Sequence, residues 1–220
     1  MKGYTVQPIK REDAIPWINL KHYAKRVPSI SHSFGLFKDN IIVGVCTYGT
    51  PPSSTLLKGI CGEIYSRWVI ELNRLCLNKN LKNEASFLVG NSLKQLKPPK
   101  IVVSYADSGQ NHIGYVYQAC NFIYTGLSSK FKDPKIVGLE NQHHATYAHG
   151  KSNKDLKQKH KEDLYFIERD RKHRYVFFVG SKRWKRQGKC ILKYPILPYP
   201  KGESKRYDTS ATFPKQVQMF

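Results

Sequence analysis

Apolar residues along the first part of the chain recur in two rhythms. Between residues 12 and 26, Ile15, Ile18, Leu20 and Tyr23 fall loosely at helical intervals, and Pro16 is tolerated in a first turn, so a helix is expected there. Residues 33–37 and 41–48 are short, β-rich apolar runs on either side of Lys38-Asp39-Asn40, which predicts a hairpin. Gly49-Thr50-Pro51-Pro52-Ser53-Ser54 reads as a loop, and 65–77, with Ile70, Leu72 and Leu75 among polar neighbours, as a strand. Residues 83–96 set Phe87, Leu88, Asn91, Leu93 and Leu96 largely on one helical side before Pro98-Pro99 stops the helix.

The run at 100–105 has the continuous apolar character of a buried parallel strand. A turn at Asp107-Ser108-Gly109, a helix over 112–120 and a strand over 122–127 follow. The order after residue 62 is thus β-α-β-α-β, which calls for right-handed crossovers in one mixed sheet. Residues 129–172 are polar and read as a long irregular insertion. A last buried strand is expected over 174–179, and from Gly180 onward the chain reads as loop. The expected organisation is one α/β domain over 1–220, its core at about 28–180, with the insertion at 129–172 and a basic extension at 181–220.

Charge narrows the partners. Lys and Arg number 37 against 16 Asp and Glu, a formal net charge of +21. Such self-repulsion is relieved by a polyanion, and neutralising phosphates releases condensed counterions, so nucleic acid is the expected partner. No apolar run is long enough to span a bilayer and no signal peptide is recognisable, so a membrane partner is not expected. The five cysteines form no CxxC pair, which fits neither a disulfide framework nor a tetrathiolate zinc site and points to a reducing cytoplasm.

The strongest local signal runs from Val103 to Phe122. A buried strand delivers Asp107 at its C-terminal end and a helix begins shortly afterwards, at the edge of an open α/β sheet where ligands bind. Asp107 is placed to act as general base or metal ligand, with His112 and Tyr117 within reach of the same crevice. The plainer alternative is that Asp107 caps the helix start and His112 packs on its first turn.

Glu71-Leu72-Asn73-Arg74-Leu75, a helix, and then the S-Y-A-D-x-x-x-x-H-x-G pattern from Ser104 to Gly114, continued through Tyr117-Gln118-Ala119 and Asn121-Phe122, resemble the phage Mom family. The resemblance spans roughly residues 32–180, including the Pro51-Pro52 loop and the late Lys172–Phe178 run. It implies a GNAT acetyltransferase-like fold and an enzyme that carbamoylmethylates adenine in duplex phage DNA, hiding the genome from host restriction. It also implies catalytic roles for Asp107, Tyr117, Ser92, Arg74 and Tyr48, with Ser86 and Ser92 beside the donor. Bound iron and an acetyl-CoA or related donor are implied cofactors, and the host cytoplasm the implied location. One departure stands out. The GNAT loop that binds the CoA pyrophosphate is glycine-rich, whereas residues 77–83 contain no glycine, leaving Lys79 and Lys82 as point charges for phosphate.

Iron(II) accepts imidazole and carboxylate, and His32, Asp107 and His112 are the candidate ligands. His143, His144 and His149 form a second, weaker group. For DNA, residues 180–189 carry Lys182, Arg183, Lys185 and Arg186 around Trp184, which suits phosphate contacts with a stacking aromatic between them. A modified base must leave the stack, and Tyr48, Tyr65, Tyr105 and Tyr117 are candidates to hold it. Two other classes fit the same features: a GNAT-type N-acetyltransferase acting on a small-molecule or protein amine, and a non-catalytic DNA-binding protein on this scaffold.

Overall fold

The computed structural model describes all residues except 24–25, 141–144, 149 and 203–220. The chain opens with β1 (Tyr4–Pro8) and α1 (Arg11–Lys21), followed by the hairpin β2 (His32–Lys38) and β3 (Ile41–Gly49). Asp39 and Asn40 both take left-handed backbone (φ 49° and 65°), the geometry that matches a two-residue hairpin turn to strand twist. Next come α2 (Ser54–Cys61), β4 (Val69–Leu77), α3 (Glu84–Gln95), β5 (Lys100–Asp107), α4 (Tyr115–Ala119) and β6 (Ile123–Leu127). The chain then forms β7 (Phe131–Ile136), α5 (Ala145–Ala148), α6 (Asn153–His160), β8 (Leu164–Arg169), β9 (Lys172–Val179) and α7 (Lys182–Ile191).

Seven strands make one mixed sheet in the order β1-β2-β3-β4-β5-β9-β6, while β7 and β8 pair separately. All contacts in the large sheet are antiparallel except β4 with β5. On one face, α3 and α4 supply Leu88, Val89, Leu93 and Tyr117 to a cluster with Phe34, Leu72, Val102 and Tyr175. On the other, Ile60 and Cys61 of α2 close over Val69, Ile101, Val103 and Phe178, with Trp184 of α7 packed against them. Burying each such large side chain contributes about 1.5–3 kcal/mol. The mixed α/β sheet with flanking helices is the architecture the patterning predicts.

Several local expectations change. The first strand at 4–8 has no counterpart in the sequence reading; its burial alternates only weakly because it is an edge strand. Residues 63–68 form a 3-10 helix, so the strand expected from 65 begins at Val69. The helix expected over 112–120 shrinks to five residues because Asn111 and Gly114 adopt left-handed backbone (φ 53° and 82°), which no α-helix continues through. The insertion is not irregular: its two ends zip together as β7 and β8. Nor is the segment after Gly180 a loop. Ser181 caps α7 by accepting the Trp184 N–H, and Gly188 lies buried against the Phe178 ring. His143, His144 and His149 lie outside the described residues. Among the described residues no helix is long and apolar enough to cross a membrane.

Candidate active site

The parallel pair at the centre of the sheet is short. Val69, Ile70 and Glu71 lie opposite Ile101, Val102 and Val103, and beyond them the strands part, β4 running on to Leu77 and β5 to Asp107. The Ser104 hydroxyl donates to the Leu72 carbonyl (2.9 Å) at the point of divergence. A bulge bends β4 just there: Tyr48 faces Leu72 and Thr47 faces Arg74, leaving Asn73 as the extra residue. Asn73 is fixed by accepting from the Thr47 hydroxyl (2.6 Å) and donating to the Ser29 carbonyl (2.8 Å).

The resulting wedge is a cleft of about 500 Å³. Strand β4 lines one wall with Glu71 and Arg74, β5 the other with Tyr105 and Asp107, and α4 closes the back with Tyr117. His22 and Tyr23, stacked at 4.4 Å, and Lys172 complete the mouth. Arg74 is tethered to the segment that leads into β2, its guanidinium donating to the Arg26 carbonyl (2.8 and 3.2 Å) and to the Asn73 carbonyl (2.7 Å).

The two carboxylates of the cleft differ. Asp107 has both oxygens engaged. Oδ2 meets Lys172 Nζ at 3.0 Å and accepts from the Tyr23 hydroxyl at 3.3 Å, while Oδ1 accepts the Gly109 N–H at 3.1 Å. It therefore does cap a turn, a 3-10 one over Ser108–Gln110, as well as lining the cleft. Glu71 sits deeper, and burial pushes its carboxyl up to about 7, against the opposing pull of Arg74 and Lys172. Tyr117 is 8% exposed, and burial raises its phenol to about 12. His22 is held neutral, its pKa lowered to about 3 by burial and then by Arg74.

The family model for the Mom protein family matches residues 3–201. The chain belongs to the Mom family. A relative, methylcarbamoylase mom of Escherichia phage Mu, is 27% identical over 218 residues, covering 90% of this chain and 86% of its own. Similar solved structures include an acetyltransferase of the GNAT family from Bacillus cereus (14% identity, TM-score 0.43, 81% of this chain and 99% of the other). Another comes from Salmonella typhimurium, assigned as an acetyltransferase and solved with its cofactor acetyl-CoA (8% identity, TM-score 0.47, 84% and 98%).

The Mom residues named from resemblance separate into groups. Asp107, Tyr117 and Arg74 meet in the cleft with His112. Tyr48 and Ser92 meet elsewhere. Both are 0% exposed, their hydroxyls 2.6 Å apart under the sheet, with Ser92 donating to the Val89 carbonyl and accepting from Cys46. Ser86 donates to the Asn83 carbonyl, and Lys79 and Lys82 stand exposed on the loop after β4. That loop does not form a diphosphate cradle. Its Leu81 N–H is donated to Glu84 Oε2 (2.7 Å), and Glu84, 3% exposed, also accepts from the Tyr4 hydroxyl (2.9 Å). A carboxylate of the chain itself thus stands at the N-terminus of α3, where an incoming anion would meet it.

The iron ligand set does not fit either. His32 opens β2 away from the cleft lining, bonded to Ser31 Oγ (2.9 Å), and Asp107 is committed to Lys172 and Tyr23. Among the described residues no group of three His, Cys, Asp or Glu side chains is placed to hold a metal ion. Of the tyrosines offered for base stacking, Tyr105 and Tyr117 line the cleft. Tyr48 is sealed in the core, and Tyr65 packs with Trp68 and Trp184 on the opposite face. Trp184 is itself wedged against Trp68 and Phe178, so it is not presented for stacking, while Lys182, Arg183, Lys185 and Arg186 are exposed around it. Glu71, Lys172, His22 and Tyr23 were not singled out from the sequence. Glu71 stood in plain view in the Glu71–Leu75 motif, as a carboxylate within a strand whose neighbours are buried.

Proposed function

We propose that this chain is a transferase-type DNA-modification enzyme of phage that places a carbamoylmethyl group on the amino nitrogen of adenine in duplex DNA, protecting that DNA from restriction. The observation that carries the reading is the wedge between β4 and β5, where a carboxylate with a raised pKa, two tyrosines and several cations share one open cleft. The family relationship to a phage methylcarbamoylase supplies the reaction class. A base inside a duplex presents its amino group poorly, so the target adenine is flipped into the cleft at a cost of a few kcal/mol. Tyr105, Tyr117 and the stacked pair His22–Tyr23 offer aromatic surface to receive it.

The amino nitrogen then attacks the electrophilic carbon of the donor. The new N–C bond forms as the bond to the leaving group breaks, and the leaving group departs with the electron pair. The proton released from nitrogen passes to Glu71, whose pKa near 7 suits a general base at neutral pH. Asp107, with its oxygens already bonded, positions Lys172 and Tyr23 at the mouth, and Tyr117 supplies a neutral hydroxyl at the back. Arg74 holds the chain at Arg26, just before β2, against β4. A CoA-type donor would rely on Lys79 and Lys82 for its phosphates, because Glu84 takes the loop amide; no step depends on it or on iron. The exposed cations of α7 give duplex DNA its phosphate contacts.

Two features weigh against the alternatives. The missing diphosphate cradle disfavours ordinary acetyl transfer from acetyl-CoA, and a half-buried carboxylate with a raised pKa in an open cleft is a costly feature for a mere DNA-binding protein. The test is expression in bacteria followed by mass spectrometry of nucleosides from their DNA. A modified deoxyadenosine carrying the added group is expected, and an unaltered deoxyadenosine profile from cells rich in soluble protein contradicts the reading.

A further inference from the structure

The segment between β6 and β9 is an arm, and its root is the rim of the cleft. Ser128 N–H donates to the Lys172 carbonyl (2.8 Å), the Lys172 N–H to Ser128 Oγ (2.9 Å), and Arg171 Nε to the Ser128 carbonyl (2.6 Å). The Ser108 hydroxyl, one residue beyond Asp107, donates to the Arg171 carbonyl. Lys172 itself pairs in register with Asp107 and makes the ion pair at the cleft mouth. The Asp170 side chain of the arm lies against Gly109 of the rim, close enough that a side chain at Gly109 would have to displace its carboxylate. The root is therefore locked to the strand end that carries Asp107.

From that root, β7 and β8 pair from Phe131–Arg169 out to Ile136–Leu164. At about 3.3 Å per residue the ribbon reaches on the order of 20 Å from the cleft. Tyr147 clamps its far half by donating to the Pro134 carbonyl (2.8 Å). At that far end stands α6, begun by a capping box at Ser152 and Asp155 and seated by buried Leu156. Lys154, Lys157 and Lys159 are exposed on it. On the ribbon, Phe131 is 61% and Ile167 46% exposed, on the same face as Arg169 across the strands. Exposed apolar side chains and a cluster of like charges both oppose stability in isolation; a polyanion that covers them relieves both.

Duplex DNA has the matching dimensions. Its major groove, about 12 Å wide, admits a two-stranded β-ribbon. The arm's reach corresponds to roughly six base pairs at about 3.4 Å each along a strand. We infer that the β7–β8 arm and α6 form a DNA-gripping element, separate from α7, that holds duplex phosphates about half a helical turn from the target adenine. The inference rests on the reading of duplex DNA as substrate and adds where, away from the modified base, the duplex is held.

The test uses the full chain carrying Lys154→Gln, Lys157→Gln and Lys159→Gln, side chains exposed enough to be changed without disturbing the core. Affinity is measured across a salt series for a duplex of about 30 base pairs and one of about 8, each with its target adenine at the centre, so that the roughly four base pairs on either side of it in the short duplex stop before α6. On the long duplex the slope of log K against log salt is expected to fall by about 2–3 through the lost phosphate contacts, with no change on the short one. An unchanged slope on the long duplex, or an equal fall on both, overturns the arm. Wild-type protein with no affinity for either duplex overturns the DNA reading beneath it, an outcome distinct from the first two.

Discussion

Two polar clusters lie within one fold, and they are built from similar chemistry. Under the sheet, Tyr48, Ser92 and Cys46 form a chain of hydroxyl and thiol groups with no exposure at all, and Ser92 completes it on a backbone carbonyl. In the wedge, Glu71, Asp107, Tyr117 and Arg74 surround open space. The first cluster resolves its hydrogen bonding internally and leaves nothing for a substrate. The second holds a carboxylate that burial makes basic near neutrality. Access, together with a mismatch between a group and its surroundings, separates chemistry from scaffolding here; residue type does not.

Among the residues that support the cleft without taking the proton, the largest effect expected is at Asp107. Asp107→Asn keeps the shape but removes the charge that holds Lys172 and Tyr23 at the mouth. Misplacement on the scale of an ångström costs about 100-fold, so modified adenine should fall by that order at equal soluble protein, as read by nucleoside mass spectrometry. An unchanged yield would place the mouth outside the reaction.

Ser92→Ala should do the reverse, lowering stability rather than chemistry. It strands the Tyr48 hydroxyl in the core, which costs about 1–3 kcal/mol in denaturant unfolding, while modification per folded molecule is retained. Tyr48→Phe added to Ser92→Ala should recover part of that loss, since removing both partners leaves no orphan. Strict additivity of the two losses would refute the coupling.

A smaller effect sharpens the other side. The folded-state pKa of Glu71 is raised, so its proton is held more tightly in the folded than in the unfolded chain. Stability from this group is fully present below the unfolded carboxyl pKa and declines as pH rises towards about 7. Glu71→Gln is neutral throughout, so its melting temperature should exceed that of wild type by a few degrees at pH 8 and match it at pH 5. Equal melting temperatures at both pH values would mean that burial does not perturb this carboxyl.

The central sheet and the wedge were legible because the long-range frame depends on strongly periodic segments. The 41–48 and 100–105 runs, and the helix between Asn83 and Leu96, are patterned enough to read directly. What was hidden has specific causes. Helix α7 carries so many cations that its one seated aromatic, Trp184, reads as a DNA contact, although it packs against Trp68 and Phe178. The strands β7 and β8 are far apart in sequence and polar, and Pro134 lies inside one of them, so their pairing leaves no local trace. Glu71 was passed over because its role comes from the divergence of β4 from β5, a property of the pair and not of either strand. The sealed position of Tyr48 and Ser92 is likewise set by tertiary packing, since α3 lies across β3 and buries both.

The most direct test compares the two clusters in one experiment. Bacteria producing wild-type protein, Glu71→Gln and Ser92→Ala at matched soluble levels are grown in parallel, and nucleosides from their DNA are resolved by mass spectrometry. Loss of a positioned general base is worth about 100- to 10,000-fold, so modified adenine should be present with wild type and Ser92→Ala and absent with Glu71→Gln. Modified adenine at wild-type abundance in the Glu71→Gln cells would contradict the assignment of the chemistry to the wedge.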